Sequence, residues 1–440
     1  MIIQKKYFFL FFYLLLIQEI LPQQYCIPGR FDTNYIFSFN DIDTLGDIVY
    51  GQNINWLGQT INLDAIIAYP KFSIDTLNKR PFILLIHGGG YYFGDKYILK
   101  PVIIDFALKG YVCASISYRL GWNTGGNPFD CNGDGYSLVK AIYRSMQDAK
   151  AAFRFFAANA NQYKIDTSYM FVGGISAGAV TSLLISFVTQ EEINSYFPNL
   201  VNELGYLDSS TNNYKTNFRL KSVISSSGGI LDTSLINYSE AIPVLMFHGT
   251  ADNNVPYGTG YAYSCPNYIL TQGSQEITKR LRNLILPFEL NYVPGGGHEN
   301  FYPIDYTLKR TSLFLKRTLC NQGRQIIIEN YTIILDTNLG YIPYVKKISS
   351  ISEKNYFLHQ NYPNPFNSVT NIEYSIPENT EVKIKIYDVL GRTIKTLVNE
   401  FQSVGKYRIL FNADELSSGI YLYEFSTEDF RDVKPMVLIK

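Results

Sequence analysis

Histidine is scarce in this chain: His87, His248, His298 and His359 are all that 440 residues contain. Any mechanism that needs an imidazole base therefore has four candidates. Tryptophan is scarcer still, with Trp56 and Trp122 alone, against 36 Tyr and 29 Phe. Those rings fill cores and line clefts but bring no catalytic group at neutral pH. Charge of one sign is missing too. The 38 Lys and Arg balance 38 Asp and Glu, so no overall field draws the protein to nucleic acid or anionic lipid. No apolar run reaches the roughly 18 residues of a spanning helix, which argues against a membrane-embedded fold. What the chain does have is a 46% hydrophobic composition with 17% charged residues over a length that calls for two folded domains.

Residues 1–24 open with Lys5 and Lys6 and run through eleven apolar or aromatic residues, Tyr7 to Ile17, before Gln18 and Glu19 end the run. That is the form of a secretory signal. Five cysteines follow, Cys26, Cys113, Cys131, Cys265 and Cys320, in a compartment where disulfides persist. Cys113 sits in the apolar run Tyr111 to Tyr118, which reads as a buried strand, and is expected to be the unpaired thiol. Sequence allows 15 schemes (five choices of the odd cysteine times three pairings). The reading leans to Cys26 with Cys320, which bracket one domain, and Cys131 with Cys265.

Across 25–322, short apolar runs alternate with helical patterns: Phe82 to Ile86, Val112 to Tyr118, Met170 to Gly173, Ser222 to Ser226, Val244 to Phe247 and Leu290 to Val293. The alternation predicts an α/β domain with a mostly parallel sheet covered by helices. Between them, Ala149, Ala152, Phe153, Phe156 and Ala160 place an apolar stripe on a helix over 137–163. Residues 323–355 lose the rhythm around Gly340, Pro343, Lys346 and Lys347 and read as a linker. Short alternating runs then predict an all-β sandwich over 356–440. Its nine Lys and Arg against eleven Asp and Glu give minus two, so it is no basic patch.

The strongest local signal is Gly174-Ile175-Ser176-Ala177-Gly178, directly after an apolar strand and before a helical run to Val188. A serine nucleophile on so tight a turn needs glycines on either side to avoid collision with the neighbouring backbone. The helix start at Ala177 offers free N–H groups to a developing oxyanion. The bland alternative is a glycine-rich turn holding a capping serine. A second signal, His87-Gly88-Gly89-Gly90, also follows a strand. Gly89 and Gly90, with Ala177, are the candidate oxyanion donors, each worth roughly 3 kcal/mol of barrier. His87 reads as a loop-fixing residue. A phosphate loop would need a Lys-Ser/Thr that does not follow.

An acid and a base should then follow at the ends of later strands. Val244 to Phe247 leads through His248 to Asp252, and Leu290 to Val293 leads through Gly295-Gly296-Gly297 to His298. Ser176, His298 and Asp252 are thus the expected triad, with His248 structural and Asp232 and Glu299 the weaker acids. Asp130, Asn132 and Asp134 match the start of a calcium loop, but its twelfth position is Ala141, which favours a polar turn tied by Cys131.

These motifs, with Tyr91 to Lys96, Ser117-Tyr118-Arg119-Leu120, Gln147 to Ala152 and His248 to Asp252, resemble the HGGG-type carboxylesterase and lipase branch of the α/β-hydrolase superfamily of serine esterases. The resemblance implies an α/β-hydrolase fold, ester hydrolysis through an acyl-enzyme, and no cofactor or metal. Ile175 departs from the small or polar residue common there. The range of that branch includes short-chain, aryl and polysaccharide esters. The alternatives are a peptidase of the same fold, a non-catalytic hydrolase-like protein or a glycan-binding surface protein. The last is disfavoured because neither tryptophan lies in the sandwich.

Leu358 to Asn367, Ile386 to Arg392, Gly419-Ile420-Tyr421 and the closing Val437 to Lys440 resemble the type A sorting domain of bacterial type IX secretion cargo. The resemblance implies that the type IX export machinery is a partner and that the protein passes through the periplasm to the cell surface or medium.

Overall fold

The computed structural model describes residues 25–340, 344–349 and 355–440, apart from 217, 238–240, 299–301, 368, 403, 414 and 415. The expected signal at 1–24 and Glu299 lie outside the described residues. Ten strands form one sheet: β1 (Ile42–Ile54), β2 (Thr60–Pro70), β3 (Arg80–Ile86), β4 (Val112–Ile116), β5 (Ile165–Ile175), β6 (Leu220–Ser226), β7 (Val244–Gly249), β8 (Phe288–Val293), β9 (Gly323–Glu329) and β10 (Thr332–Gly340). Their order is β1-β2-β4-β3-β5-β6-β7-β8-β9-β10. Strands β3 to β9 pair in parallel, while β2 runs antiparallel to β1 and β4. The interchange of β3 and β4 and the antiparallel β2 give the sheet of an α/β-hydrolase fold.

Helices cover both faces, as parallel strands require, because strands such as β3 are buried on both sides. Alternation along β3 sorts the core: Phe82, Leu84 and Ile86 face one layer, Ile83 and Leu85 the other. The first layer holds α2 (Gly135–Ala158), α3 (Ala177–Phe187) and α4 (Ser274–Asn283); the second holds α1 (Lys100–Leu108) and α5 (Ile304–Leu319). The buried Arg119 guanidinium lies 2.8 Å from the Asp148 carboxylate and 2.8 Å from Gln147 Oε1, which joins the segment after β4 to α2. Removing either partner would strand a buried charge.

Cys26 bonds to Cys320 and Cys131 to Cys265, leaving Cys113 buried and free. The first bridge ties the start of the described chain to the end of α5. Among the described residues no helix is long and apolar enough to cross a membrane.

The expected linker at 323–355 is corrected in its first half. Strand β9 pairs with β8, and β10 returns beside it after a turn at Asn330 and Tyr331, both with positive φ. Ile326 and Ile328, 3% and 1% exposed, are buried beneath this extension, so the catalytic sheet runs on to Gly340. Tyr344–Ser349 already pairs with Gly405–Asn412 of the second domain. That domain is two four-stranded antiparallel sheets, one of Tyr344–Ser349, Gly405–Asn412, Val369–Ile376 and Phe357–Leu358, the other of Thr393–Gln402, Thr380–Asp388, Gly419–Ser426 and Arg431–Leu438. Ile372, Tyr374, Ile384, Ile386, Ile409 and Phe425 fill its core at period two.

Candidate active site

The parallel strands deliver their loops to one end of the sheet. Strand β3 runs into His87 to Gly90, β5 into Ser176, β7 into the turn that carries Asp252, and β8 into the loop that carries His298. Ser176 adopts φ 54° and ψ −120°, outside the regions favoured by L-residues, a conformation that costs about 1–3 kcal/mol. Glycines make this bend possible. A Cβ on Gly174 would lie 2.3 Å from the Gly178 carbonyl carbon, and one on Gly178 would lie 2.0 Å from the Ile86 oxygen.

Ser176 precedes α3, yet its side chain makes no capping bond. Its Oγ lies 2.7 Å from His298 Nε2, and His298 Nδ1 lies 2.7 Å from Asp252 Oδ2. A carboxylate only accepts, so Nδ1 carries the proton and Nε2 is the acceptor for the Ser176 hydroxyl. Backbone N–H groups of Asn254 and Val255 donate to Asp252 Oδ1. Burial opposes the charge on Asp252, but hydrogen bonds from His248 and His298 outweigh it and hold the carboxyl well below the usual range. His248, fully buried, has Nε2 3.2 Å from Asp252 Oδ2 and 3.0 Å from the Val255 carbonyl, with Nδ1 2.8 Å from Ser274 Oγ. It therefore braces Asp252 as well as the strand end, a contact that sequence spacing did not reveal.

The loops that carry Asp252 and His298 are stitched together. Thr250 N–H donates to the Val293 carbonyl, Ala251 N–H to Gly296, and Gly295 N–H to Thr250 Oγ1, while Ser227 Oγ donates to the His298 carbonyl. The expected alternative acid, Asp232, instead caps a short turn and bonds to Tyr196.

The glycine loop lies against the serine: a Cβ on Gly88 would be 3.2 Å from Ser176 Cβ. Each carbonyl from His87 to Gly90 has a partner. Tyr118 Oη donates to His87, His87 Nδ1 to Gly88, the N–H groups of Tyr92 and Phe93 to Gly89, and Trp122 Nε1 to Gly90. Because a trans peptide points its C=O and the next N–H in opposite directions, these bonds fix the N–H directions of Gly89 and Gly90. Gly89 and Gly90 have φ of 111° and 58°, a region open to glycine. Ala177 is buried at the helix start, with its carbonyl held by Tyr91 Oη. His87 stacks on Tyr118, and burial pushes its pKa down against the hydrogen bond to Gly88.

A small open cleft lies beside Ser176, walled by Tyr91, Leu138, Ile142, Val180, Tyr263 and Ile269 among others. The Cys131–Cys265 bridge holds the segment that carries Tyr263. The calcium-like loop is occupied otherwise. Asp134 caps α2, Asp130 accepts from Asn127, and Cys131 is in the bridge; Asn132 lies beside Gly125. Among the described residues no cluster of three or more His, Cys, Asp or Glu is placed to hold a metal. Ile175 is 43% exposed.

Residues 135–240, which include Ser176, match the BD-FAE family, and residues 360–440 match the secretion system C-terminal sorting domain family, Por_Secre_tail. None of the curated proteins compared with the chain matches it. Similar solved structures include esterase B from Lactobacillus rhamnosis, with 16% identity, TM-score 0.41, and coverage of 63% of this chain and 87% of that one. Esterase 2 from Thermogutta terrifontis, phosphoramylated by tabun, has 18% identity, TM-score 0.44 and coverage of 64% and 96%. Its propionate-bound form has 19% identity, TM-score 0.43 and coverage of 63% and 93%. The chain thus has an α/β-hydrolase fold in which residues 135–240 are similar to the BD-FAE family, followed by residues 360–440 that are similar to the secretion system C-terminal sorting domain.

Proposed function

We propose that this chain is a secreted serine hydrolase that cleaves carboxylic esters through a Ser176-His298-Asp252 triad. The observation that carries the reading is the unbroken relay from Ser176 Oγ to His298 Nε2 and from Nδ1 to Asp252, each step 2.7 Å, on a strained turn at the strand ends. Ser176 Oγ attacks the ester carbonyl as His298 Nε2 takes its proton. The carbonyl π pair moves onto oxygen, and the N–H groups of Gly89, Gly90 and Ala177 stabilise that charge. When the tetrahedral species collapses, the C–O bond to the alcohol breaks and His298 returns the proton to the leaving oxygen. Water repeats the sequence on the acyl-enzyme, releasing the acid and regenerating Ser176.

Asp252 keeps the imidazole in the required tautomer and stabilises the imidazolium. Ser176→Ala should lower p-nitrophenyl acetate turnover by several orders of magnitude with an unchanged far-UV spectrum. A variant retaining a tenth of wild-type activity would overturn the assignment.

The C-terminal domain acts, on this reading, as the address that type IX machinery reads, carrying the enzyme through the periplasm to the cell surface or medium. Fusing residues 356–440 to an unrelated periplasmic passenger should send it out of a host that has this machinery. Retention in the periplasm would count against the export role.

A further inference from the structure

Tyr263 holds a backbone conformation that residues with a side chain rarely adopt, with φ 55° and ψ 19°, and Ser264 beside it has φ 60°. Two consecutive left-handed residues persist only where the surroundings over-determine them. Here they do. The Tyr263 N–H donates to the Asn254 carbonyl at 2.9 Å, and Ser264 Oγ donates to the Asn253 carbonyl at 3.2 Å. Because the Asn254 N–H in turn donates to Asp252, the position of Tyr263 is tied to the turn that carries Asp252 by bonds that do not involve the Cys131–Cys265 bridge.

The ring is held as firmly as the backbone. Its centroid lies 5.1 Å from that of Phe129, 6.2 Å from Tyr268 and 6.4 Å from Trp122, the residue whose Nε1 fixes the Gly90 carbonyl. That packing brings the hydroxyl onto the glycine loop. A Cβ on Gly90 would lie 2.2 Å from Tyr263 Oη, so with a Cα–Cβ bond of about 1.5 Å the hydroxyl stands within about 3.7 Å of Gly90 Cα. Tyr263, Gly90, Ala177 and Ser176 line the same cleft.

Three neighbouring phenols are engaged within the protein. Tyr91 Oη donates to the Ala177 carbonyl, Tyr118 Oη donates to the His87 carbonyl, and Tyr268 Oη accepts the Gly133 N–H. The Tyr263 hydroxyl has no hydrogen-bond partner among the described residues. Burial holds its pKa above the ordinary phenol value, so it keeps its proton and is a donor. A donor fixed by ring packing and backbone bonds is oriented before a substrate arrives.

We infer that Tyr263 is a further catalytic residue, whose hydroxyl joins the N–H groups of Gly90 and Ala177 in donating to the carbonyl oxygen of the substrate. The inference rests on the hydrolase reading. As Ser176 Oγ adds to the carbonyl carbon and the π pair moves onto oxygen, the bond from Tyr263 strengthens with the growing charge, and the phenol gives a hydrogen bond while keeping its proton. Glycine at position 90 is then required twice, for its φ of 58° and because a side chain there would displace the hydroxyl.

Tyr263→Phe keeps the ring and removes only the donor. In the full chain, kcat/KM for p-nitrophenyl acetate should fall about 10²-fold, the scale of losing one oxyanion donor. The melting temperature should not move, because no protein group loses a partner. A trifluoromethyl alkyl ketone adds to a serine as a tetrahedral oxyanion, so its inhibition constant should rise by the same factor, while inhibition by p-nitrophenol stays unchanged. A loss of kcat/KM below about tenfold, an unchanged constant for the ketone, or an equal loss of p-nitrophenol binding would overturn the inference. Activity surviving in Ser176→Ala would instead sink the hydrolase reading. An inactive Ser176→Ala beside a fully active Tyr263→Phe would overturn the role of Tyr263 alone.

Discussion

Exchanging Asp252 for Asn keeps the shape of the side chain and changes one proton relation. Asp252 Oδ1 accepts the N–H groups of Asn254 at 2.8 Å and Val255 at 3.0 Å, while Oδ2 faces His298 Nδ1 at 2.7 Å and His248 Nε2 at 3.2 Å. An amide has one accepting oxygen. Turning its NH2 toward the two backbone donors would leave them buried and unpaired, at about 1–3 kcal/mol each. The oxygen should therefore stay on the backbone, with the NH2 facing the imidazoles. His298 Nδ1 must then accept, and its proton moves to Nε2, the atom that has to take the proton of Ser176.

The wrong tautomer should lower kcat by about 10⁴, the scale of an acid-to-amide exchange in such a triad. That corresponds to about 5.5 kcal/mol of barrier. Steady-state hydrolysis of p-nitrophenyl butyrate by Asp252→Asn would show it as a loss in kcat with KM little changed, because this side chain does not line the cleft. A variant within tenfold of wild type would place the acid elsewhere and refute the tautomer argument.

Activity should rise with pH and level off, because only the unprotonated imidazole accepts the serine proton. Asp252 adds an effect on stability with the opposite origin. Its depressed folded pKa contributes stability that is present above the unfolded carboxylate range and lost as pH falls through the folded value, so melting temperatures in acid should drop on the low side of the activity step. Replacing Cys131 and Cys265 by serine should cost about 2–5 kcal/mol of stability and raise KM several-fold more than it lowers kcat, since the bridge supports the wall that carries Tyr263. A chain ending at 340 should hydrolyse soluble esters at near the full-length rate. One ending at 322 should melt lower and aggregate, because it exposes the edge of β8 that β9 covers. Equal melting temperatures would contradict that boundary.

The sequence was most legible where chemistry is local. Ser176, Asp252 and His298 each follow an apolar strand and sit in or after a glycine-bearing turn, so strand, turn and residue type can be read within about ten positions. The central strands were equally readable, since burial on both faces leaves continuous apolar runs. What escaped depends on distant segments. Ile326, Ile327 and Ile328 form a strand because β8 offers an unpaired edge, and the nearby glycine, proline and lysines hid it inside an apparent linker. Asn254, Tyr263 and Ile269 reach the cleft through loops, with Tyr263 held in place by a bridge whose partners are 134 residues apart. His248 looked like a strand-end histidine, and only the curl of the following turn brings Asp252 back to it.

The covalent step is the centre of this account and can be observed directly. The intact protein, incubated with an equimolar fluorophosphonate and weighed by mass spectrometry, should gain one phosphonyl group, lose ester hydrolysis in proportion, and carry the label on the peptide that contains Ser176. Ser176→Ala should remain unlabelled. Stoichiometric loss of activity with the label on any other residue, or full activity in a protein labelled at Ser176, would contradict it.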